Sequence, residues 1–237
     1  MQNKELMLSL DSSHFRGSVA VSDSDELLSG VFFNASDTHS ATLLPAVDSC
    51  LRMAGVELKE IEKFGVVIGP GSFTGLRIGL STIKSFASVR QRPVYPVSSL
   101  ELLAAAYPYS ARPVAAVIDA RRNEVYFGLY STVSGMPEEL IGAVAVPPGE
   151  LAGLISGKID SGRVIVCGTG AERYRDLLES DALIFSDVSR IFPSASLMPC
   201  FIGRNKPAEF SSLEGMEPLY IRPPDASPST RLSGKRG

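Results

Sequence analysis

A duplicated α/β architecture, two successive copies of a strand-strand-strand-helix-strand-helix unit, is what this sequence predicts, and three observations carry the prediction. Apolar residues alternate with period two in triplets of short runs, once near the start of the chain and again after residue 112. Each triplet leads into a helical stretch, an apolar strand and a glycine-rich turn that opens another helix, Gly69-Pro70-Gly71 in one half and Gly168-Thr169-Gly170 in the other. An aspartate closes the first strand of each copy, Asp11 and then Asp119. This order fits the two-lobed actin/hexokinase-like (ASKHA, RNase H-like) fold, with mixed sheets flanked by helices, better than a doubly wound dinucleotide fold. The expected lobes are residues 1–108 and 109–221, and residues 222–237, rich in Pro, Ser and Gly with few apolar side chains, read as a disordered end.

In the first copy, Leu6 to Asp11, Gly17 to Val21 and Leu27 to Phe33 are the three strand-like runs. Asp37-Thr38-His39-Ser40 offers N-caps for a helix to about Ala54, and Pro45 asks that helix to begin late or bend. Phe64 to Ile68 is a buried strand, a helix follows the glycine turn to about Arg90, and Pro93 to Val97 is a strand. Ser98 or Ser99 then caps a short helix ending near Tyr107. In the second copy the strands are Pro113 to Asp119, Val125 to Tyr130 and Glu139 to Val146, followed by a helix over Pro147 to Ile155. A strand over Arg163 to Val166 and a helix over Ala171 to Glu179 complete it.

Composition narrows the function. The chain has 237 residues, 44% of them hydrophobic and 21% charged, which excludes a disordered protein. No apolar run approaches the roughly 18–20 residues that cross a bilayer, and the stretch from Met1 to Leu10 lacks the cationic flank and apolar core of an export signal, so a cytoplasmic location is expected. The three cysteines, Cys50, Cys167 and Cys200, have no CxxC spacing and form neither a disulfide framework nor a zinc knuckle. The net charge is −3, and the last residues, 222–237, are themselves basic, so the body is more acidic still. Nucleic acid is gripped largely by Lys and Arg on phosphates, so RNA is expected to meet this chain only through a partner.

The glycine turn before the second long helix could hold an anion on its backbone amides. It departs from both phosphate-binding fingerprints, because Gly75 is followed by Leu76-Arg77 rather than Lys-Ser/Thr, and Gly71 by Ser72-Phe73-Thr74 rather than x-x-Gly. Turn geometry and close packing are the simpler use of these glycines. On the helix itself, Leu76, Leu80, Ile83 and Ala87 form a core stripe, while Arg77, Ser81, Lys84 and Ser88 are expected to be wet. Gly71, Gly75 and Gly79 recur every four residues beside a second weakly polar strip of Ile78, Thr82, Phe86 and Val89. Two readings stand for that strip: burial inside this chain, or packing on a helix of another subunit with the glycines permitting close approach. The other long helix has an equally wide apolar arc, Leu43, Leu44, Val47, Cys50, Leu51 and Ala54, with Ala46 and Met53 at its margin. Two such helices could join two more across a subunit boundary.

The string from Ile68 to Gly79, Ile-Gly-Pro-Gly-Ser-Phe-Thr-Gly-Leu-Arg-Ile-Gly, resembles the bacterial TsaB family, also called YeaZ. So do Leu10-Asp11-Ser12-Ser13, Thr38-His39-Ser40 with Leu43-Leu44-Pro45, Ile118-Asp119-Ala120-Arg121 with Glu124-Val125-Tyr126, Gly168-Thr169-Gly170, and Pro218-Leu219-Tyr220-Ile221-Arg222. The resemblance spans nearly the whole chain apart from its last dozen residues. It implies a place in the machinery that makes N6-threonylcarbamoyladenosine at position 37 of tRNAs reading ANN codons. There the family is the dimerisation subunit, its catalytic paralogue TsaD transfers the threonylcarbamoyl group, and the ATPase TsaE joins the pair. The family's partner contact falls on the helices matching residues 39–54 and 73–90, which here carries over to His39, Leu43, Leu44, Val47, Leu51, Gly75, Arg77, Ile78, Gly79, Thr82 and Phe86. Without the partner the same surface is expected to self-associate.

The resemblance also bears on chemistry. The catalytic paralogue holds a metal with two histidines four residues apart, and the matching positions here are Ser99 and Leu103, which cannot replace imidazoles. The two histidines of this chain, His14 and His39, lie outside that segment, so no metal site and no cofactor of its own are expected. Asp11, Asp119, Gly168 and Gly170 read as degenerate nucleotide-loop positions, and a nucleotide is expected, if anywhere, at the assembled subunit interface. Arg77 could meet a partner carboxylate or remain solvated, and Arg121, Glu124 and Tyr126 could form a polar cluster between lobes or belong to a surface hairpin. The leading expectation is a non-catalytic scaffold; an independent ATP-dependent small-molecule kinase of the same fold is the alternative. A glycopeptidase finds no Ser/His/Asp, Cys/His or metal constellation in the sequence to support it.

Overall fold

The structure, a computed structural model, describes residues 5–35, 39–159, 162–209 and 212–222, with residues 39 and 40 described by their backbone alone. The capping pair Asp37-Thr38 and the tail after Arg222 lie outside the described residues. The first unit runs β1 (Leu6–Asp11), β2 (Arg16–Asp23), β3 (Glu26–Asn34), α1 (His39–Ala54), β4 (Lys63–Gly69), α2 (Phe73–Arg90) and β5 (Val94–Ser98), and α3 (Ser99–Ala104) leads out of it. The second runs β6 (Val114–Arg121), β7 (Glu124–Ser131), β8 (Glu138–Val146), α4 (Leu151–Ser156), β9 (Val164–Cys167), α5 (Thr169–Arg173), α6 (Arg175–Leu178) and β10 (Leu183–Phe185).

The two sheets share one topology, β3-β2-β1-β4-β5 and β8-β7-β6-β9-β10. In each, an antiparallel meander of three strands is extended by two parallel strands reached through helical crossovers. This is the duplicated actin/hexokinase-like fold that the order of elements predicts. Local chemistry sets most boundaries: Ser72 caps α2 by accepting from the Gly75 amide, and Ser98 caps α3 by accepting from Leu100.

Alternation along the strands builds a core on each face of the first sheet. Leu6, Leu8, Leu10, Val19, Val21, Phe64 and Val66 point to α1 and α2, meeting Leu43, Val47, Cys50, Leu80 and Ile83. Met7, Ala20, Val67 and Val97 point the other way, onto Leu102 of α3 and onto Ala195, Met198 and Phe201. α3 is shared, since Leu100, Leu103 and Ala104 pack instead on Val114, Ala116 and Ile118 of the second sheet. The far face of that sheet is covered by α4, α5 and α6 through Leu151, Ile155, Ala171 and Leu178.

Three local expectations differ from the structure. α1 does not begin late at Pro45 but starts at His39 and runs through the proline to Ala54. The expected helix over residues 171–179 is two short pieces, because Tyr174, at φ −109° and ψ 23°, breaks the helical path. The chain after β10 also does not stay with the second sheet. A 3-10 segment over Ala195–Phe201 covers the first sheet, Ala195 donates its amide to Ser18 Oγ at 2.9 Å, and Ala208 exchanges backbone hydrogen bonds with Val94 on the outer side of β5. Among the described residues, segments 195–209 and 212–219 therefore lie against the first sheet, although the expected second lobe runs to residue 221.

α2 lies close to the sheet because its glycine edge receives the turn after β1. Ser12 Oγ donates to the Gly75 carbonyl at 2.8 Å, and Ser72 N donates to the Ser13 carbonyl at 2.7 Å. A β-carbon on Gly79 would fall 2.1 Å from Ser12 Oγ and 2.9 Å from Leu10 Cδ2, and one on Gly71 only 2.3 Å from the Ser13 carbonyl oxygen. Gly71 and Gly79 thus admit this chain's own β1–β2 turn, so the expectation that Gly79 admits a foreign helix is corrected by that contact; Gly75 is likewise buried, its carbonyl accepting from Ser12. Gly79→Ala should destabilise the isolated chain by about 1–3 kcal/mol through overpacking. Gly30→Ala, where a β-carbon meets nothing within 4 Å, should stay close to wild type, and urea denaturation of both variants checks the difference.

Candidate functional site

The candidate partner face is the outward side of α1 and α2, which lie on one face of the first sheet. The structure divides the expected contact residues in two. Leu43, Val47 and Leu51 are buried among Leu8, Leu10 and Ile83, and Gly75 and Gly79 are buried against Ser12, so all five serve this chain's own packing. Ile78, Thr82 and Phe86 are half-buried, with Ile78 and Phe86 resting on the same core. Leu44 and Arg77 are exposed, and His39 opens α1 with a side chain outside the described residues. Much of the apolar excess read from the two helices is thus spent on the sheet.

What remains outside is narrower and of mixed character. Leu44, Met53 and Val89 stay 54%, 59% and 83% exposed. Along α2 the exposed line is Thr74, Arg77, Ser81, Ser85 and Ser88. The hydroxyls here are turned back onto the helix: Ser81 and Thr82 donate to the Ile78 carbonyl at 3.0 and 2.8 Å, and Ser85 donates to Ser81 at 2.8 Å. Small side chains whose hydroxyls are already bonded, as at Ser81, Thr82 and Ser85, cost little to dehydrate and permit close helix packing. On α1, Arg52 and Asp48 neutralise each other at 3.0 Å across one turn.

Lys84, expected to be wet, is drawn instead to the returning chain, donating to the carbonyls of Glu214 at 3.1 Å and Met216 at 2.8 Å. Beyond it, Leu219 N donates to the Ile68 carbonyl at 2.7 Å, and Tyr220 stacks on Phe73 with centroids 5.3 Å apart. Ile221 packs on the second sheet, and Arg222 pairs with Glu124 and with the Ala120 carbonyl at 3.1 Å. Arg222 is therefore the cation of the polar cluster, while Arg121 is exposed and Tyr126 packs among apolar residues. Sequence reasoning missed Tyr220 and Arg222 as contact residues. The run from Pro218 to Arg222 was the visible signal, but nothing in its spacing shows that it returns to α2.

The turn after β1 holds the most unusual chemistry. Ser13 Oγ donates to Asp11 Oδ1 at 2.6 Å and lies 2.8 Å from His14 Nδ1, and Ser13 N also donates to Asp11 Oδ1 at 2.9 Å. Asp11, Ser13 and His14 are all buried, and Asp11 Oδ2 and His14 Nε2 have no partner among the described residues. The expectation of no Ser/His/Asp grouping is thus corrected, but the order is wrong for acyl transfer: the serine bridges the other two, and the aspartate does not orient the imidazole. Burial in low dielectric pushes the Asp11 carboxyl up to about 6, against its Ser13 hydrogen bonds, and pushes His14 down to about 4.

The second copy is likewise closed on itself. Thr169 Oγ1 accepts from Asp119 N at 3.2 Å, and Asp119 pairs with Arg173 at 3.2 Å and accepts from Arg121 N at 3.0 Å. Gly168, at φ +103°, and Gly170 abut the backbone of Val117 and Ile118, where β-carbons would come to 2.3 and 2.9 Å. Ser99 Oγ donates to the Pro70 carbonyl at 2.5 Å, and Leu103 is buried beside it in α3. No group of three potential metal-ligating side chains occurs among the described residues, and no helix among them is long and apolar enough to cross a membrane.

Comparison with known proteins adds identity to this geometry. Residues 33–193 match the family described as TsaD: tRNA N6-adenosine threonylcarbamoyltransferase. The chain is 28% identical to the tRNA threonylcarbamoyladenosine biosynthesis protein TsaB of Bacillus subtilis, over 91% of this chain and 93% of that one. It is 30% identical to TsaB of Escherichia coli, over 78% and 80%. The solved structure of YeaZ from Pseudomonas aeruginosa superposes with a TM-score of 0.77 at 30% identity, covering 91% of this chain and 99% of that one.

Asp11 gives the site a pH signature. Its carboxyl ordinarily titrates near 3.8 and is raised in the folded state, so folding is most favoured below about pH 4, and that advantage is lost as pH rises to about 6. Asp11→Asn removes this dependence. The variant should gain about 2–3 kcal/mol over wild type between pH 4 and pH 7, read from denaturation midpoints at both values. His14 works in the opposite direction, favouring the folded state above about pH 6.5, and is common to both proteins.

Proposed function

The chain belongs to the TsaB (YeaZ) family, and we propose that it serves the biosynthesis of tRNA threonylcarbamoyladenosine as a non-catalytic docking subunit for its catalytic paralogue. The family places it in that pathway; the finer role rests on the faces of the molecule. One observation carries it: α1 and α2 present Leu44, Met53 and Val89 to solvent beside Ser81, Thr82 and Ser85, whose hydroxyls are already bonded within the helix. Such a surface suits two further helices of a like-folded partner, giving a four-helix contact. The partner is a TsaD-type protein, with the ATPase TsaE joining the pair and tRNA met through the complex. A second copy of this chain can occupy the same face when the partner is absent.

The way the two loops are packed supports a non-catalytic role. Asp11 is consumed by Ser13, Asp119 by Arg173, and the two glycine turns are filled by the ends of β1 and β6. An actin/hexokinase-like kinase needs those elements open to phosphates and a metal, so the kinase alternative loses its footing. This account places any nucleotide at the assembled subunit boundary. A hydrolase is disfavoured for a parallel reason: Ser13 is buried and already bonded on both sides.

Leu44→Glu and Val89→Glu test the docking face. Both positions are exposed, so each variant should unfold within about 0.5 kcal/mol of wild type, as surface changes usually do. Each should bind the TsaD-type partner at least about tenfold more weakly, because the introduced charge would be buried unpaired in the complex. Thermal unfolding and titration of the purified partner check the two halves. Unchanged binding in both variants would show that this face is not the contact.

A further inference from the structure

We infer that Arg77 is a preformed charged anchor of the docking face, held by Phe73 and Tyr220 to receive a carboxylate from the partner protein. The inference rests on the docking reading above and names the chemistry that the partner must bring to one point of it. The guanidinium carbon of Arg77 lies 4.0 Å from the centroid of the Phe73 ring, one turn earlier on α2. Its Nε donates to the Tyr220 hydroxyl at 3.1 Å, and Tyr220 itself is stacked on Phe73 with ring planes 28° apart. The tyrosine is supplied by a strap fixed on both sides, by the Leu219 amide on the Ile68 carbonyl and by Arg222 on Glu124. An arginine so placed is not the freely moving surface cation that its helix position alone suggests.

Two consequences follow from that geometry. Nε is engaged by Tyr220, which leaves the terminal nitrogens to pair with a carboxylate, and no carboxylate pairs with Arg77 among the described residues. A planar fork already held by stacking and one hydrogen bond has lost most of its rotamer freedom before binding, so pairing with a carboxylate is less costly in entropy. Arg77 is also the sole cation in the exposed line of Thr74, Ser81, Ser85 and Ser88, since Lys84 is engaged by the strap. One cation in a setting of small side chains suits one carboxylate on a protein helix. Nucleic acid requires several phosphates to be neutralised together, and this line of α2 does not supply them.

The experiment is a titration of the purified TsaD-type partner into wild type, Arg77→Ala, Arg77→Lys and Tyr220→Phe, at about 50 and about 300 mM salt, either side of the physiological screening length. Arg77→Ala should bind about 10- to 100-fold more weakly at low salt, as for a central interface arginine, and its affinity should fall less steeply with salt than that of wild type. Arg77→Lys keeps the charge but not the fork, and should lose about tenfold. Tyr220→Phe keeps the stack but frees Nε, and should lose a few-fold with unchanged thermal unfolding. Reversing the charge with Arg77→Glu should be rescued by changing the contacting partner carboxylate to arginine. Wild-type binding with Arg77→Ala within twofold of it would overturn the anchor and leave the docking face standing. A lysine variant equal to wild type would also overturn it, since the held fork would then be irrelevant. Failure of wild type to bind the partner at all would overturn the docking reading, and the anchor with it.

Discussion

The close seat of α2 on the turn after β1 is the constraint on which the rest of the molecule depends. Ser12 and Ser13 enter a channel that β-carbons on residues 71 and 79 would close, and they hold α2 by direct hydrogen bonds. That seat fixes which side of the helix is spent on the sheet and which side is left outward. It also fills the place that a phosphate-binding loop would need to keep open. On the proposed reading, a closed turn after β1 and an outward helical face are two results of one packing choice.

The buried Asp11 shows what the packing retains at a cost. A carboxylate with one oxygen unpartnered in a dry site is destabilising at neutral pH, and among the described residues Ser13 alone relieves it. Its counterpart Asp119 has moved toward a conventional structural use, paired with Arg173 at the edge of α5. The two copies of the fold therefore accommodate the aspartate at the end of their first strand by different means: by burial and Ser13 in the first, by an ion pair in the second.

Much of the fold was legible because it rests on local chemistry. Alternation exposed the six meander strands, serine caps marked α2 and α3, and paired glycine turns revealed the duplication. The site was legible only in outline. Helical periodicity shows how wide an apolar arc is but not how much of it the sheet consumes, which is why Leu43, Val47 and Leu51 read as contact residues and proved to be core. The spacing of Gly75 and Gly79 announces a close approach without saying by whom. Contacts between Tyr220 and Arg77, or between Arg222 and Glu124, join segments far apart in sequence and leave no local pattern. Three-residue β10 is likewise too short to show a period.

The central claim is that this chain supplies a surface while its partner supplies the chemistry, and one measurement addresses it most directly. Threonylcarbamoyladenosine formation on tRNA would be followed with purified components, using a chain that carries Asp11→Asn and Asp119→Asn together. The account predicts no product from this chain alone, and product at the wild-type rate once the catalytic paralogue and its ATPase are added. Loss of product from a doubly substituted chain that still folds and still binds its partner would contradict it, because one of those carboxylates would then be taking part in the reaction.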